Sequence, residues 1–318
     1  MIRCSCLLFL IACGLPGFGL PGIHSSEVVA IGGIKQWVSI KGDNSADPVL
    51  LFLHGGPGNS AMSYADRFTG ELQKHFVVVQ WDQRESGMTA QLNGSNQPLS
   101  VDLMERDAVE MINYLRSRFS QSKIYLMGHS WGGFLGLTVA AHHPELLEAF
   151  LAVSPMVYQL ESERVSLQWL RAKEDHNRQA VAELSTVIIP FQNSDQLYYH
   201  RSWLAREMGT KPASKAYVEV WAKKWLSVFN EASQINFFAT APEINCPIYF
   251  FVGGKDYQTY FKLTEDYFHA LKADKKQLFW FADSGHNLIL TEPKRFQEIV
   301  IREIGMKKDK PAPIKPHF

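Results

Sequence analysis

Gly128-His129-Ser130-Trp131-Gly132 places a serine between glycines two residues to either side. A serine hydroxyl is a poor nucleophile at neutral pH and must lose its proton to a base as it attacks. Glycines at that spacing suit a sharp turn, because without a Cβ the incoming strand and outgoing helix can approach closely. Both flanks are present. Ile124-Tyr125-Leu126-Met127 is a short apolar run of strand formers, and residues 134–143 read as a buried helix that stops before Pro144. Strand, tight turn and helix together lift the hydroxyl above a sheet edge in strained backbone geometry. The first helical amide, on Trp131, then points to where an oxyanion would form. Taken alone, the pentapeptide also fits an ordinary glycine-rich turn, so the remaining chain has to supply the partners.

Two further residues qualify. Asp256 follows the apolar run 247–252 through Gly253-Gly254-Lys255, and His286 follows the run 277–281 through Ala282-Asp283-Ser284-Gly285. The expected roles are His286 as base and then acid, with Asp256 fixing the imidazole tautomer and stabilising the imidazolium. Asp266 and Asp283 are rival acids. Asp266 falls within a helical pattern, and Asp283 is only three residues from His286. His54 and His129 read as loop-shaping. Serine, acid, histidine, each after a different strand, is the triad order of α/β-hydrolases. The run 49–53 ends in His54-Gly55-Gly56-Pro57-Gly58, a loop of backbone amides at a strand's C-terminal end. Gly56 is expected to supply the second oxyanion donor, since Pro57 has no N–H.

These residues need a sheet to hold them. Residues 27–40 read as a hairpin around Gly32-Gly33, and strands are expected at 49–53, 76–81, 124–127, 149–153, 247–252 and 277–281. Helices are expected at 60–74, 99–119 and 292–305, with Ser100 or Asp102 as cap for the second. Between 156 and 240 the pattern is helical only, which predicts an inserted cap. Tyr217, Trp221, Trp225 and Phe229 recur every four residues there, on one helix face. The plain reading of that stripe is packing of the cap onto the main domain; the sharper one is an aromatic wall over the active site. The expected organisation is therefore a core of 27–155 and 241–305 with a cap at 156–240.

The chain has 318 residues, 46% of them hydrophobic, with Lys+Arg 32 balancing Asp+Glu 32. A sizeable core is expected, and a nucleic-acid partner is not. Residues 1–13 carry one positive charge and then an apolar run too short to span a bilayer. Leu10-Ile11-Ala12-Cys13 resembles a bacterial lipobox, which implies lipidation at Cys13 and membrane attachment in the cell envelope; an uncleaved start and a cytoplasmic protein is the alternative. Residues 14–22 read as a tether within a leader of 1–26, and 306–318 as a disordered tail. Cleavage before Cys13 leaves only Cys13 and Cys246, too few for a disulfide framework.

His54-Gly55-Gly56-Pro57-Gly58, Asp82-Gln83-Arg84-Glu85-Ser86-Gly87 and Gly128-His129-Ser130-Trp131-Gly132-Gly133 together resemble the prolyl iminopeptidase group of α/β-hydrolases. The resemblance covers roughly residues 27–305. It implies an α/β fold with an eight-stranded, mostly parallel sheet and a helical cap. It also implies Ser130, Asp256 and His286 as catalytic residues, Gly56 and Trp131 as oxyanion amides, no metal or organic cofactor, and release of an N-terminal proline from peptides. Two departures stand out. Glu85 occupies a position that is glycine in the family's motif. The cap, too, does not identify carboxylates for a substrate ammonium, although Glu161, Glu163, Glu174, Glu207, Glu219 and Glu231 are available. An aminopeptidase acting through an acyl-enzyme is thus the leading expectation, with a carboxylesterase or amidase on small acyl substrates as the alternative. A ligand-binding protein on a hydrolase fold fits the complete serine, acid and histidine set poorly. Serine at the elbow disfavours epoxide hydrolases and haloalkane dehalogenases, which use aspartate there.

Overall fold

The computed structural model describes residues 21–95 and 97–304. Cys13, residues 1–20 of the expected leader and the tail 306–318 lie outside the described residues. The strands are β1 (Ile23–Ile31), β2 (Ile34–Gly42), β3 (Val49–Leu53), β4 (Val77–Asp82), β5 (Ile124–His129), β6 (Leu147–Val153), β7 (Glu243–Ile244), β8 (Ile248–Gly253), β9 (Lys272–Ala273) and β10 (Lys276–Phe281). Eight of them form one sheet in the order β1-β2-β4-β3-β5-β6-β8-β10, and β7 pairs separately with β9. Only β2 runs against its neighbours; every other pairing in the large sheet is parallel. This is the mostly parallel eight-stranded α/β sheet expected from the sequence.

Burial explains the composition of the strands. Every residue of β3, β4 and β5 is buried, so these strands read as continuous apolar runs rather than alternating ones. Alternate residues still serve opposite faces. Leu51, Leu53 and Leu126 pack with the helix Trp131–His142, while Leu50, Phe52 and Met127 pack with Phe296 and Val300 of the closing helix Pro293–Glu303. The β1–β2 hairpin turns at Gly32 and Gly33, whose φ angles of 57° and 73° favour glycine. β1 begins at Ile23, inside the stretch read as leader. Its first half alternates half-buried and exposed residues on an edge strand, and polar Ser25, Ser26 and Glu27 hide the period.

The expected helix over 60–74 is only partly formed. Ala61, Ala65, Phe68 and Leu72 are buried at helical spacing, yet the α-helix covers Asp66–Thr69 and a 3-10 turn covers Leu72–Lys74. Gly70 separates the two, and the Glu71 amide is diverted to Gln297 Oε1 at 2.8 Å. Ser100, not Asp102, caps the helix Val101–Arg118 by accepting from the Leu103 amide. Between β6 and β7 the chain forms the helices Gln159–Lys173, Arg178–Ser185, Ser194–Glu207, Lys215–Ser233 and Phe237–Thr240. Asn177, Asn193, Ser214 and Asn236 cap four of them.

Candidate active site

Ser130 sits at the end of β5 with φ 58° and ψ −115°, a conformation that L-residues avoid. Its amide donates to the Val153 carbonyl at 3.0 Å, which ties the strained turn to β6. The flanking glycines have no room for a side chain. A Cβ on Gly128 would lie 2.1 Å from the Gly132 carbonyl oxygen, and one on Gly132 would lie 1.9 Å from that of Leu53. The two glycines are thus required by the close contact of β3 and β5 with the helix that β5 feeds.

The loops after β8 and β10 bring Asp256 against His286, with His286 Nδ1 at 2.9 Å from Asp256 Oδ2. Asp266 instead pairs with Lys262, and Asp283 with Lys255 at the surface. Asp256 Oδ1 accepts from the amides of Gln258 and Thr259 at 2.9 and 3.0 Å. Thr259 Oγ1 lies 2.8 Å from Asp256 Oδ2. Burial by itself would raise the Asp256 pKa, but the His286 charge and these hydrogen bonds hold it below the usual carboxylate range. Burial and the neighbouring His286 push His129 down to about 4. A neutral His129 donates from Nε2 to the His286 carbonyl at 2.9 Å and so fixes the loop that carries the imidazole. Ser130 and His286 are both nearly buried, but no hydrogen bond joins them in this structure. That contact commonly tightens only with substrate. Thr259 was not singled out in the sequence; its signal is the Asp-x-x-Thr spacing at a strand's end.

The two remaining motifs interlock beside the elbow. His54 Nε2 accepts from the Gln83 amide at 3.2 Å and lies 3.0 Å from Ser86 Oγ. Trp131 Nε1 donates to Gln83 Oε1 at 3.3 Å. Arg84, fully buried, reaches Asp107 through Nε and Nη2 and donates to the Gly32 carbonyl. The Asp82–Gly87 segment therefore holds the glycine loop, the elbow tryptophan and the β1–β2 turn in one network. Glu85 takes φ 60°, a region glycine enters freely. Its carboxylate accepts from the Ser95 amide and pairs with Lys224 of the cap at 2.5 Å. Gly56 lines the same cavity as Ser130. Among the described residues the amides of Gly56 and Trp131 have no hydrogen-bond partner, which leaves both free to donate.

A family model for serine aminopeptidase, S33, matches residues 44–294. The chain belongs to the S33 serine aminopeptidase family of α/β-hydrolases. It is 29% identical over 301 residues to Probable aminopeptidase YbaC of Bacillus subtilis (strain 168), an overlap covering 86% of this chain and 94% of that one. It is 22% identical over 272 residues to the Proline iminopeptidase of Heyndrickxia coagulans, covering 81% and 91%. Among solved structures, the Proline iminopeptidase of Mycobacterium smegmatis superposes with TM-score 0.65 at 18% identity, covering 88% of this chain and 97% of that one.

In this S33 chain the cap closes a cavity of about 270 Å³ over Ser130 and Gly56. The aromatic stripe does both things expected of it. Tyr217, Trp221 and Phe229 line the cavity. The same helix also seats on the glycine loop: Trp221 Nε1 donates to the Pro57 carbonyl at 2.8 Å, and Tyr217 donates to Asn59 Oδ1 at 2.6 Å. A Cβ on Gly58 would lie 2.4 Å from the Trp225 ring. None of the six glutamates available for an ammonium lines the cavity. Glu163 is buried and forked onto Arg201. Glu161 pairs with Arg164, Glu207 with Lys173, and Glu174 accepts from Asn177. Glu231 accepts from the Val101 amide, and Glu219 is exposed on another part of the cap. The charged residues on the cavity wall are Arg201 and Lys211. Among the described residues no cluster of His, Cys, Asp or Glu is placed to hold a metal.

Proposed function

We propose that this chain hydrolyses small ester or amide bonds, peptides included, through an acyl-enzyme on Ser130. The observation that carries the reading is the buried Asp256–His286 hydrogen bond, set at the ends of β8 and β10 beside the strained Ser130 turn. Ser130 Oγ attacks the substrate carbonyl carbon, and its proton passes to His286 Nε2. The carbonyl electron pair moves onto oxygen, where the Gly56 and Trp131 amides donate to it. The tetrahedral adduct collapses, the leaving group departs with the proton from His286, and water then cleaves the acyl-serine by the same route. Asp256 keeps Nδ1 protonated, so that Nε2 is free to accept.

Two substrate readings follow. Release of N-terminal residues, proline among them, is supported by the family and by the names of the two relatives. Hydrolysis of small acyl esters or amides is favoured by the cavity wall, which offers cations and no carboxylate to a substrate ammonium. The test is turnover of proline 4-nitroanilide and of a short-chain 4-nitrophenyl ester, each with Ser130→Ala as control. Turnover and fluorophosphonate labelling are expected to fall by at least about 10,000-fold in the variant. Undiminished activity in Ser130→Ala sinks the mechanism. Arylamide turnover that disappears when the proline nitrogen is acylated selects the exopeptidase; ester turnover alone selects the esterase.

A further inference from the structure

Arg201 is held more firmly than a residue on a cavity wall needs to be. Its Nη1 donates to Glu163 Oε2 at 2.6 Å, and its Nη2 donates to Glu163 Oε1. The second Nη1 proton goes to His200 Nδ1 at 2.8 Å. His200 can accept there because burial keeps it neutral, with its pKa pushed down to about 3. The opposite ring nitrogen then donates to Ser166 Oγ at 3.0 Å. Phe191 and Phe229 lie over the guanidinium, with ring centroids 5.4 and 5.9 Å from Cζ. Glu163 is itself fixed by Gln159 Nε2 at 2.6 Å. Three of the five guanidinium N–H groups are thereby assigned. The two left over, on Nε and on the outer side of Nη2, make no hydrogen bond among the described residues. They share one edge of the planar group, with the spacing that a carboxylate accepts bidentately. Arg201 lines the Ser130 cavity, and this edge is the one turned away from Glu163 and His200.

We infer that the open edge of Arg201 is a carboxylate-binding fork, and that the substrate acylating Ser130 carries a carboxylate. The inference rests on the acyl-enzyme reading and takes its esterase or amidase branch. Lys211, exposed on the same wall and without an acidic partner among the described residues, supplies the net positive charge that the neutral Glu163–Arg201 pair lacks. An ammonium-bearing group meets charge of its own sign there, with the Gln159 Oε1 acceptor, buried and unpartnered, as its best polar contact. Packing, and not only charge, fixes the fork, because aromatic faces and an end-on glutamate leave the guanidinium one orientation.

The carboxylate can sit on the acyl part or on the leaving group, and paired substrates separate these. Methyl hydrogen glutarate against methyl pentanoate tests the acyl side. 3-Acetoxybenzoate against phenyl acetate tests the leaving side. One anionic member is expected to exceed its neutral twin by about 10- to 100-fold in kcat/KM, the range of a charge-assisted pair. A single Arg201 substitution would strand buried Glu163, so the informative variant is Arg201→Gln combined with Glu163→Gln, in which the anionic-to-neutral ratio should collapse toward one. Lys211→Gln should lower the ratio less and flatten its dependence on ionic strength. Equal turnover of both pairs overturns the inference. So does a preference that survives in the double variant, or proline 4-nitroanilide outpacing both anions. If Ser130 takes no fluorophosphonate and no ester is cleaved, the hydrolase reading has failed and the fork is read by calorimetry. Glutarate binding over pentane-1,5-diol, lost in the double variant, sustains it; absence of binding to the wild-type chain overturns it.

Discussion

The Asp256 carboxylate takes four hydrogen bonds, three of them from Gln258 and Thr259 within its own loop. The amides of Gln258 and Thr259 demand an oxygen at Oδ1, so in Asp256→Asn the new NH2 must face His286 Nδ1 and hold the imidazole in the wrong tautomer. That variant should lose about 10,000-fold in kcat with KM little changed, and steady-state kinetics at neutral pH on whichever substrate proves active will read it. At this scale the sequence was informative where a residue's job is announced by its own loop. Ser130 stood between its glycines, and Asp256 and His286 each stood just past an apolar run. It was silent where the partner is remote. Glu163 was one glutamate among six until Arg201, in another cap helix, was placed on it. Arg84 stood in a motif, but nothing local said that Asp107 and the Gly32 carbonyl would share its guanidinium.

Among the elements, the elbow depends on clearance that side chains would close. Gly132→Ala sets a Cβ 1.9 Å from the Leu53 carbonyl oxygen, where backbone would have to move. It should cost about 3 kcal/mol. Gly33→Ala, at φ 73° in the β1–β2 turn but with nothing within 4 Å, should cost only about 1 kcal/mol. Urea midpoints of the two variants make the comparison, and similar losses would mean that the elbow is not steric. Glycines and apolar runs made the strand-turn-helix unit legible, because crowding leaves its mark on the residues that are crowded. The helix over 60–74 was misread because its buried spacing survives while the Glu71 amide, diverted to Gln297, interrupts the helical hydrogen bonding. Glu85 shows the same limit. A glutamate at φ 60° looks like an error against a glycine motif until Ser95 and Lys224 are seen to hold its carboxylate.

For the whole molecule, pH is the sensitive variable. Burial lowers the pKa of His54, brings His129 to about 4 and His200 to about 3, all from an ordinary value of 6.5. A base whose folded pKa is depressed gives its full stability above the unfolded value. That stability is lost as pH falls from about 6.5 toward the folded values, because the unfolded chain takes the protons first. Each such histidine removes on the order of 1.4 kcal/mol per pH unit in that window. Asp256 and Glu163, both held below the usual carboxylate range, add their loss only under more acidic conditions. The melting temperature should therefore drop steeply between pH 7 and 5, and a flat profile would mean that these histidines are not buried as neutral rings. The strands of the sheet and the run of helices between β6 and β7 were legible because long apolar runs and helical periods are repeated many times over; the order of strands within the sheet, with β4 between β2 and β3, was not. The cap's interior was not, since it is a polar network whose members are unremarkable one at a time.

The helix Lys215–Ser233 meets the glycine loop through Tyr217, Trp221 and Trp225, with indole and phenol groups fitted to Pro57, Asn59 and Gly58. Modularity is what this contact removes. A transplanted cap lacking these three side chains would leave the glycine loop, whose Gly56 amide is the proposed donor to the substrate's carbonyl oxygen, without its seat. Substrate scope in this chain cannot be exchanged by moving the cap alone; residues 54–59 have to travel with it.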